Sequence, residues 1–203
     1  GTLYALRYER SGEEAYARRA EEHYTGALEV RRREIAPSHW AMVQHALGNL
    51  FLSRYERSGE EAHARRAEEH YTGALQEYRC ETAPFQWATV QHALGNLYAL
   101  RYERSGEEAH ARRAEEHYAN ALQEYRRETA PSDWAMTQHS LGTLYALRYE
   151  RSGEEAYARR AEEHFTNALQ EYRRETAPFQ WATVQHALGT LFYRRYERSG
   201  EEA

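Results

Sequence analysis

The sequence predicts an all-α chain: an α-solenoid of stacked antiparallel helical hairpins, about four 47-residue repeats plus a partial one. Three observations predict it. The nonapeptide RYERSGEEA begins at residues 7, 54, 101, 148 and 195, a constant interval of 47. Within each interval apolar residues recur at steps of three and four, the period of one face of a helix. One proline per interval, and one Ser-Gly-Glu-Glu, stand where helices would stop and start.

The elements follow in order along residues 1–203, read as a single repeat domain. Residues 1–10 form a partial helix A. Hairpin units follow at roughly 38–84, 85–131 and 132–178, and a last partial unit occupies 179–203. In the unit 38–84, Trp40, Val43, Ala46, Leu47, Leu50 and Phe51 make the apolar stripe of helix A. Ala64, Ala67, Tyr71, Ala74, Leu75 and Tyr78 make that of helix B. Ser58 followed three residues later by Glu61 predicts a capping box at the start of helix B. Glu60 and Glu61 also suit the positive end of that helix. Helix B is expected to run until just before Pro84, because a residue preceding proline leaves the helical region. Pro84 itself suits the first turn of the next helix A. A hairpin with one apolar stripe per helix cannot bury it alone, so copies must stack.

Residues QHALGNLF (44–51) and AEEHYTGAL (67–75) resemble the tetratricopeptide repeat. The Leu-Gly-x-x-aromatic element falls on Leu47, Gly48 and Phe51, and the Ala-x-x-x-aromatic-x-x-Ala element on Ala67, Tyr71 and Ala74. The match recurs at Leu94, Gly95, Tyr98, Ala114, Tyr118 and Ala121, and again at Leu141, Gly142, Tyr145, Ala161, Phe165 and Ala168. The 47-residue unit is longer than the usual 34, which predicts helices longer by about a turn at each end. Gln44 stands at the family's tryptophan position, with Trp40 four residues before it. The apolar stripe and the resemblance together predict repeat packing by Trp40, Leu47, Gly48, Ala67, Tyr71, Ala74, Trp87, Leu94, Gly95, Trp134, Leu141, Gly142, Trp181, Leu188 and Gly189. The resemblance also implies a concave, peptide-binding face. The positions facing it would be Met42, His45 and Asn49; Thr89, His92 and Asn96; Met136, His139 and Thr143; and Thr183, His186 and Thr190. Imidazole, amide and hydroxyl groups on that face could bond a peptide backbone, or face solvent alone.

Composition narrows the function classes. Net charge is −5 and every basic side chain is arginine, so no basic field draws the chain to nucleic acid. No apolar run is long enough to span a membrane. The opening GTLYALRYER reads as the middle of a helix, neither a signal peptide nor a cytosolic start. The cytoplasm is then the default compartment, or the extracellular space for a fibre. Cys80, the single cysteine, stands where other copies have Arg33, Arg127 and Arg174, and reads as a surface substitution. Of 11 histidines, none forms His-x-x-x-His, and His63 and His70 lie about 10 Å apart along a helix. No metal site or cofactor is expected. The histidines are read as bonding between copies or lining a surface. ARRAEEH, with Arg65, Arg66, Glu68 and Glu69, reads as a solvated charged face supported by pairs such as Glu61–Arg65. No catalytic residue is expected, since an active site is a single constellation of different groups and each candidate here recurs about four times.

Residues 48–94 and 95–141 differ at 11 of 47 positions, and the junctions alternate between PSHWAM or PSDWAM and PFQWAT. The alternation suggests a two-hairpin unit with exposed phenylalanines at every second junction. Gly1 matches mid-helix A and Ala203 the first turn of helix B, which suggests a longer array or end-to-end joining. Two functions follow. One is a non-catalytic scaffold for protein or peptide partners. The other is a structural repeat whose copies join end to end as a fibre.

Overall fold

Pro37, Pro84, Pro131 and Pro178 each occupy the first turn of a helix, where a missing amide hydrogen costs nothing. From these starts the chain builds its longest helices. The computed structural model describes residues 1–30 and 32–200. Their elements are α1 (Thr2–Ser11), α2 (Glu14–Val30), α3 (Pro37–Ser58), α4 (Glu61–Leu75), α5 (Pro84–Ser105), α6 (Glu108–Glu124), α7 (Pro131–Ser152), α8 (Glu155–Ala168) and α9 (Pro178–Ser199). Among the described residues the chain is all α, with no strand. Glu201, Glu202 and Ala203, which the sequence assigns to a further helix B, lie outside the described residues.

Odd and even helices pair: α1 with α2, α3 with α4, α5 with α6 and α7 with α8. Each odd helix also packs on the even and the odd helix before it. Small residues permit the close pairing. Ala64, Ala67 and Ala74 on α4 are fully buried against α3, and Tyr71 fills the space between them. Gly95 shows how close the approach is: a Cβ there would lie 2.5 Å from the ring of Tyr118. Leu47, Gly48, Leu94, Leu141, Gly142 and Leu188 are buried as the sequence expects, and Trp40, Trp87, Trp134 and Trp181 are half-buried. Gly189 departs from expectation. It is exposed, because no described helix covers that side of α9.

The hairpin turn differs from the capping box. Ser58 is the last residue of α3, and its hydroxyl donates to the Arg54 carbonyl at 2.8 Å while accepting from the Glu60 amide at 3.1 Å. Gly59 follows at φ 72°, its amide bonded to the Tyr55 carbonyl, in the left-handed conformation that ends helices and favours glycine. The serine thus finishes helix A and does not begin helix B. Glu61 makes no reciprocal cap, because its carboxylate is held by Arg101 of the next hairpin.

Helix B is also shorter than expected. α4 ends at Leu75 and α8 at Ala168, well before their prolines. Residues 76–83 form a folded connection whose amide of Ala83 returns to the Arg79 carbonyl at 2.8 Å. Leaving the helix lets the tyrosine of Gln-Glu-Tyr reach helix A of its own hairpin. Tyr78 donates to the Ser38 carbonyl at 3.3 Å, and the Tyr125 hydroxyl lies 2.8 Å from that of Thr89. The added length before proline is therefore a tyrosine-anchored loop.

Candidate functional site

The hairpins meet through a network that repeats at each junction. Arg101 of α5 holds Glu61 and Glu68 of α4, both at 2.6 Å. Arg54 does the same to Glu14 and Glu21, Arg148 to Glu108 and Glu115, and Arg195 to Glu155 and Glu162. Three residues later a second arginine reaches the end of the preceding helix A. Arg104 donates to the Glu56 carbonyl at 2.8 Å and lies over the ring of Tyr55, meeting carbonyls that a helix end leaves unpaired. Burial alone would raise the Glu68 carboxyl pKa; hydrogen bonds from Tyr98 and Arg101 outweigh it and hold the group below its ordinary value. Among the described residues the ARRAEEH face holds one intrahelical pair of the expected kind, Glu155–Arg159 at 4.0 Å, but most of its bridges run between hairpins. Arg66 bridges to Glu21 at 2.8 Å and Arg160 to Glu115 at 3.1 Å, each across a junction.

The histidines divide into two ladders. On helix B, Nδ1 of His70, His117 and His164 lies 2.6–2.7 Å from the amide oxygen of Gln44, Gln91 and Gln138. Their rings stack on Phe51, Tyr98 and Tyr145. These bonds lie within a hairpin, which corrects the sequence expectation for helix B; on helix A, His92 does reach the next copy, at Thr137. Gln44 is a polar partner for its own helix B. On helix A, His45, His92 and His139 lean on Tyr71, Tyr118 and Phe165. Burial lowers the pKa of all six, for His92 to about 4.

The twelve residues expected on the concave face therefore have unequal roles. Asn49 and Asn96 accept hydrogen bonds of 2.8 Å from Tyr71 and Tyr118. In the next hairpin Thr143 stands opposite Phe165, and the threonine hydroxyl turns back to the His139 carbonyl. His92 departs from the surface role: it is 7 % exposed, with Nδ1 3.1 Å from the hydroxyl of Thr137 on α7. Thr89 is engaged by Tyr125. Thr183 bonds the Phe179 carbonyl, and Met42 and Met136 are exposed. Met42 lines a small hollow of about 330 Å³ with Tyr24 and Ala46.

Five of the twelve come together. Asn96, His139, Thr143, His186 and Thr190 line a groove of about 580 Å³ between α5, α7 and α9. Its floor is Tyr118 and Phe165, and its walls include Leu100, Leu144, Leu147 and Leu191. Glu103, Glu150 and Arg194 close one end. Sequence reasoning missed the leucines and glutamates. The signal available for them was their position one and two turns beyond Asn96 and Thr143 on the same helix face.

No protein-family model matches the chain, and neither a curated protein nor a solved structure matches it. The groove and the junction network therefore carry the functional reading. No described helix is long and apolar enough to cross a membrane. The exposed phenylalanines also differ from one another: Phe85 rests edge-on against Tyr125, whereas Phe179 is 85 % exposed. Cys80 is half-buried at a junction, its thiol 3.4 Å from Glu124 where Arg127 pairs with Glu171.

Proposed function

We propose that the chain is a tetratricopeptide-like α-solenoid, a non-catalytic scaffold that binds protein or peptide partners along the face formed by its odd-numbered helices. The observation that carries this reading is the groove between α5, α7 and α9. A volume of about 580 Å³, apolar walls and a few polar groups match the proportions of ligand sites. The residues that the resemblance assigns to a concave face supply five of its lining groups. Nucleic acid is not a partner in this reading, since the net charge is −5.

A titration of the chain with a pool of short synthetic peptides, followed by chemical-shift changes of backbone amides, tests this. Binding is expected to shift the amides of Thr143, Leu147 and Thr190. Shifts confined to the even-numbered helices would overturn the assignment of the face.

One observation favours a second reading, a structural repeat that forms fibres. Each interior unit carries both halves of one interface, the arginine and the glutamate pair that receives it. Any unit can in principle dock on any other, and such head-to-tail contacts that do not close produce filaments. Negative-stain microscopy over a range of concentrations separates the readings: short rods at all concentrations support the scaffold, and long fibres with an axial period support the polymer.

A further inference from the structure

The groove between α5, α7 and α9 has a chemical direction. Its end nearest the helix N-termini is lined by the imidazoles of His139 and His186. Its middle is leucine, with Leu100 and Leu147 on the walls. Its far end carries Glu103 and Glu150 near the C-termini of α5 and α7, whose last carbonyls are met by Arg151 and Arg198.

The two glutamates are not equivalent. Arg194 on α9 lies 3.4 Å from Glu150 and 3.2 Å from Glu197, so Glu150 is largely neutralised. One repeat earlier, the position of Arg194 is occupied by Leu147. Among the described residues, no salt bridge involves the Glu103 carboxylate. The groove thus places an apolar wall directly before one exposed carboxylate that makes no side-chain ion pair among the described residues, the guanidinium of Arg151 being bonded to the backbone carbonyl of the same residue.

Resting on the reading of this groove as a peptide site, we infer that its occupant is a basic peptide segment, in which a lysine or arginine beside leucine-sized side chains places its cation on Glu103. The stem of such a residue lies along Leu100 and Leu147 while its head reaches the carboxylate, as long basic side chains do on apolar surfaces. An acidic segment is disfavoured at the same place by the charge of Glu103.

The test uses the 203-residue chain and three fluorescein-labelled peptides, Leu-Ala-Lys-Leu-Ala, Leu-Ala-Gln-Leu-Ala and Leu-Ala-Glu-Leu-Ala, followed by anisotropy at low and high salt. The lysine peptide is expected to bind about three- to fivefold more tightly than the glutamine peptide at low salt, the advantage of a partly exposed ion pair, and the glutamate peptide more weakly. Glu103→Gln is expected to bring the lysine peptide down to the affinity of the glutamine peptide; separately, Leu147→Arg, which copies the α9 arrangement, is expected to erase the same advantage while also weakening the glutamine peptide through loss of part of the apolar wall. Both positions line an open groove, and unchanged circular dichroism verifies the fold of each variant. Equal binding of all three peptides overturns the charge preference while leaving the groove as a peptide site. Binding of none of them overturns both readings.

Discussion

The guanidinium of Arg101 on α5 lies 2.6 Å from the carboxylate of Glu68 on α4, and the same arginine holds Glu61 two turns away at 2.6 Å. Arg101 is 5 % exposed, so a charge sits inside the junction and depends on two acids from another hairpin. Its Nε has no hydrogen-bond partner, which makes the two outer nitrogens the means by which the group is satisfied. This fork is the physical content of the recurring RYERSGEEA: its first arginine binds the preceding unit and its last glutamate receives the following one.

Removing one acid should therefore cost more than a surface pair would. Glu68→Gln leaves Arg101 buried with only Glu61, and is expected to destabilise the chain by about 2–4 kcal/mol; the lower part of the buried-pair range applies because Glu61 is half exposed. Arg65→Gln on the outer face of the same helix should change stability by under about 0.5 kcal/mol. Urea melts of both variants check the contrast, and equal midpoints would show that the fork adds nothing.

The helix pairing within a hairpin depends on a missing side chain. Gly95→Ala places a methyl 2.5 Å from Tyr118, whose ring is enclosed on all sides and cannot withdraw. Overpacking of this kind costs about 1–3 kcal/mol. Gly189→Ala, where nothing lies within 4 Å, should instead be neutral or stabilising, since alanine favours helices. Thermal melts of the two variants should move in different directions.

Tyr118 and Asn96 form a pair that the chain itself replaces elsewhere. Their hydrogen bond is absent one hairpin later, where Phe165 faces Thr143. Tyr118→Phe alone removes the hydrogen-bond partner of the Asn96 amide oxygen, which the groove leaves partly open to water, and of Ser140, and is expected to cost about 1 kcal/mol. Adding Asn96→Thr recreates the later hairpin and should restore much of the loss. A double-mutant cycle by urea denaturation measures the coupling; strict additivity would show that the two side chains act independently.

These pairs show what was legible in the sequence. The 47-residue spacing, the alanine and leucine stripes and the glycine at Gly95 are local or periodic signals, and they place helices A and B correctly. The capping box failed because local and long-range bonds compete for one carboxylate. Glu61 has a weak local option in the Ser58 amide and a stronger one in Arg101, 40 residues away. The same competition shortens helix B, since Tyr78 gains a docking site on helix A only by leaving the helix at Leu75. The groove was half legible. His139 and Thr143 follow from a family pattern, whereas Glu103 matters because Leu147 and not arginine stands beside it, a relation between neighbouring copies.

Cys80 occupies a place built for arginine. Arg33 and Arg127 each pair with a glutamate of the next hairpin and lie over Trp40 and Trp134, whereas the Cys80 thiol meets Glu124. Cys80→Arg is expected to recreate the bridge and the stack on Trp87 and to raise the melting temperature by about 1–3 °C. In the unchanged chain, burial and then the Glu124 carboxylate raise the thiol pKa. Alkylation by iodoacetamide near pH 8 should therefore be slower than for an exposed cysteine, and Glu124→Gln should accelerate it. A rate that ignores Glu124 would remove the carboxylate from the account.

The histidine ladders predict how acid acts on the fold. Burial depresses the pKa of His92 from 6.5 to about 4, and lowers those of His45, His70, His117, His139 and His164. Unfolded histidines protonate near 6.5 while the folded ones stay neutral, so between those values the unfolded state binds more protons. The sign follows: the histidine contribution is fully present above about pH 6.5 and is lost as pH falls toward the folded values. For His92 alone the loss reaches about 3 kcal/mol by pH 4, from the shift between 6.5 and about 4. His92→Gln keeps a hydrogen-bonding group near Thr137 but cannot titrate. Its stability should fall less than that of the parent between pH 7 and pH 4.5, even if it starts lower. Urea midpoints at four pH values give the two slopes, and parallel slopes would assign the acid sensitivity to groups other than His92.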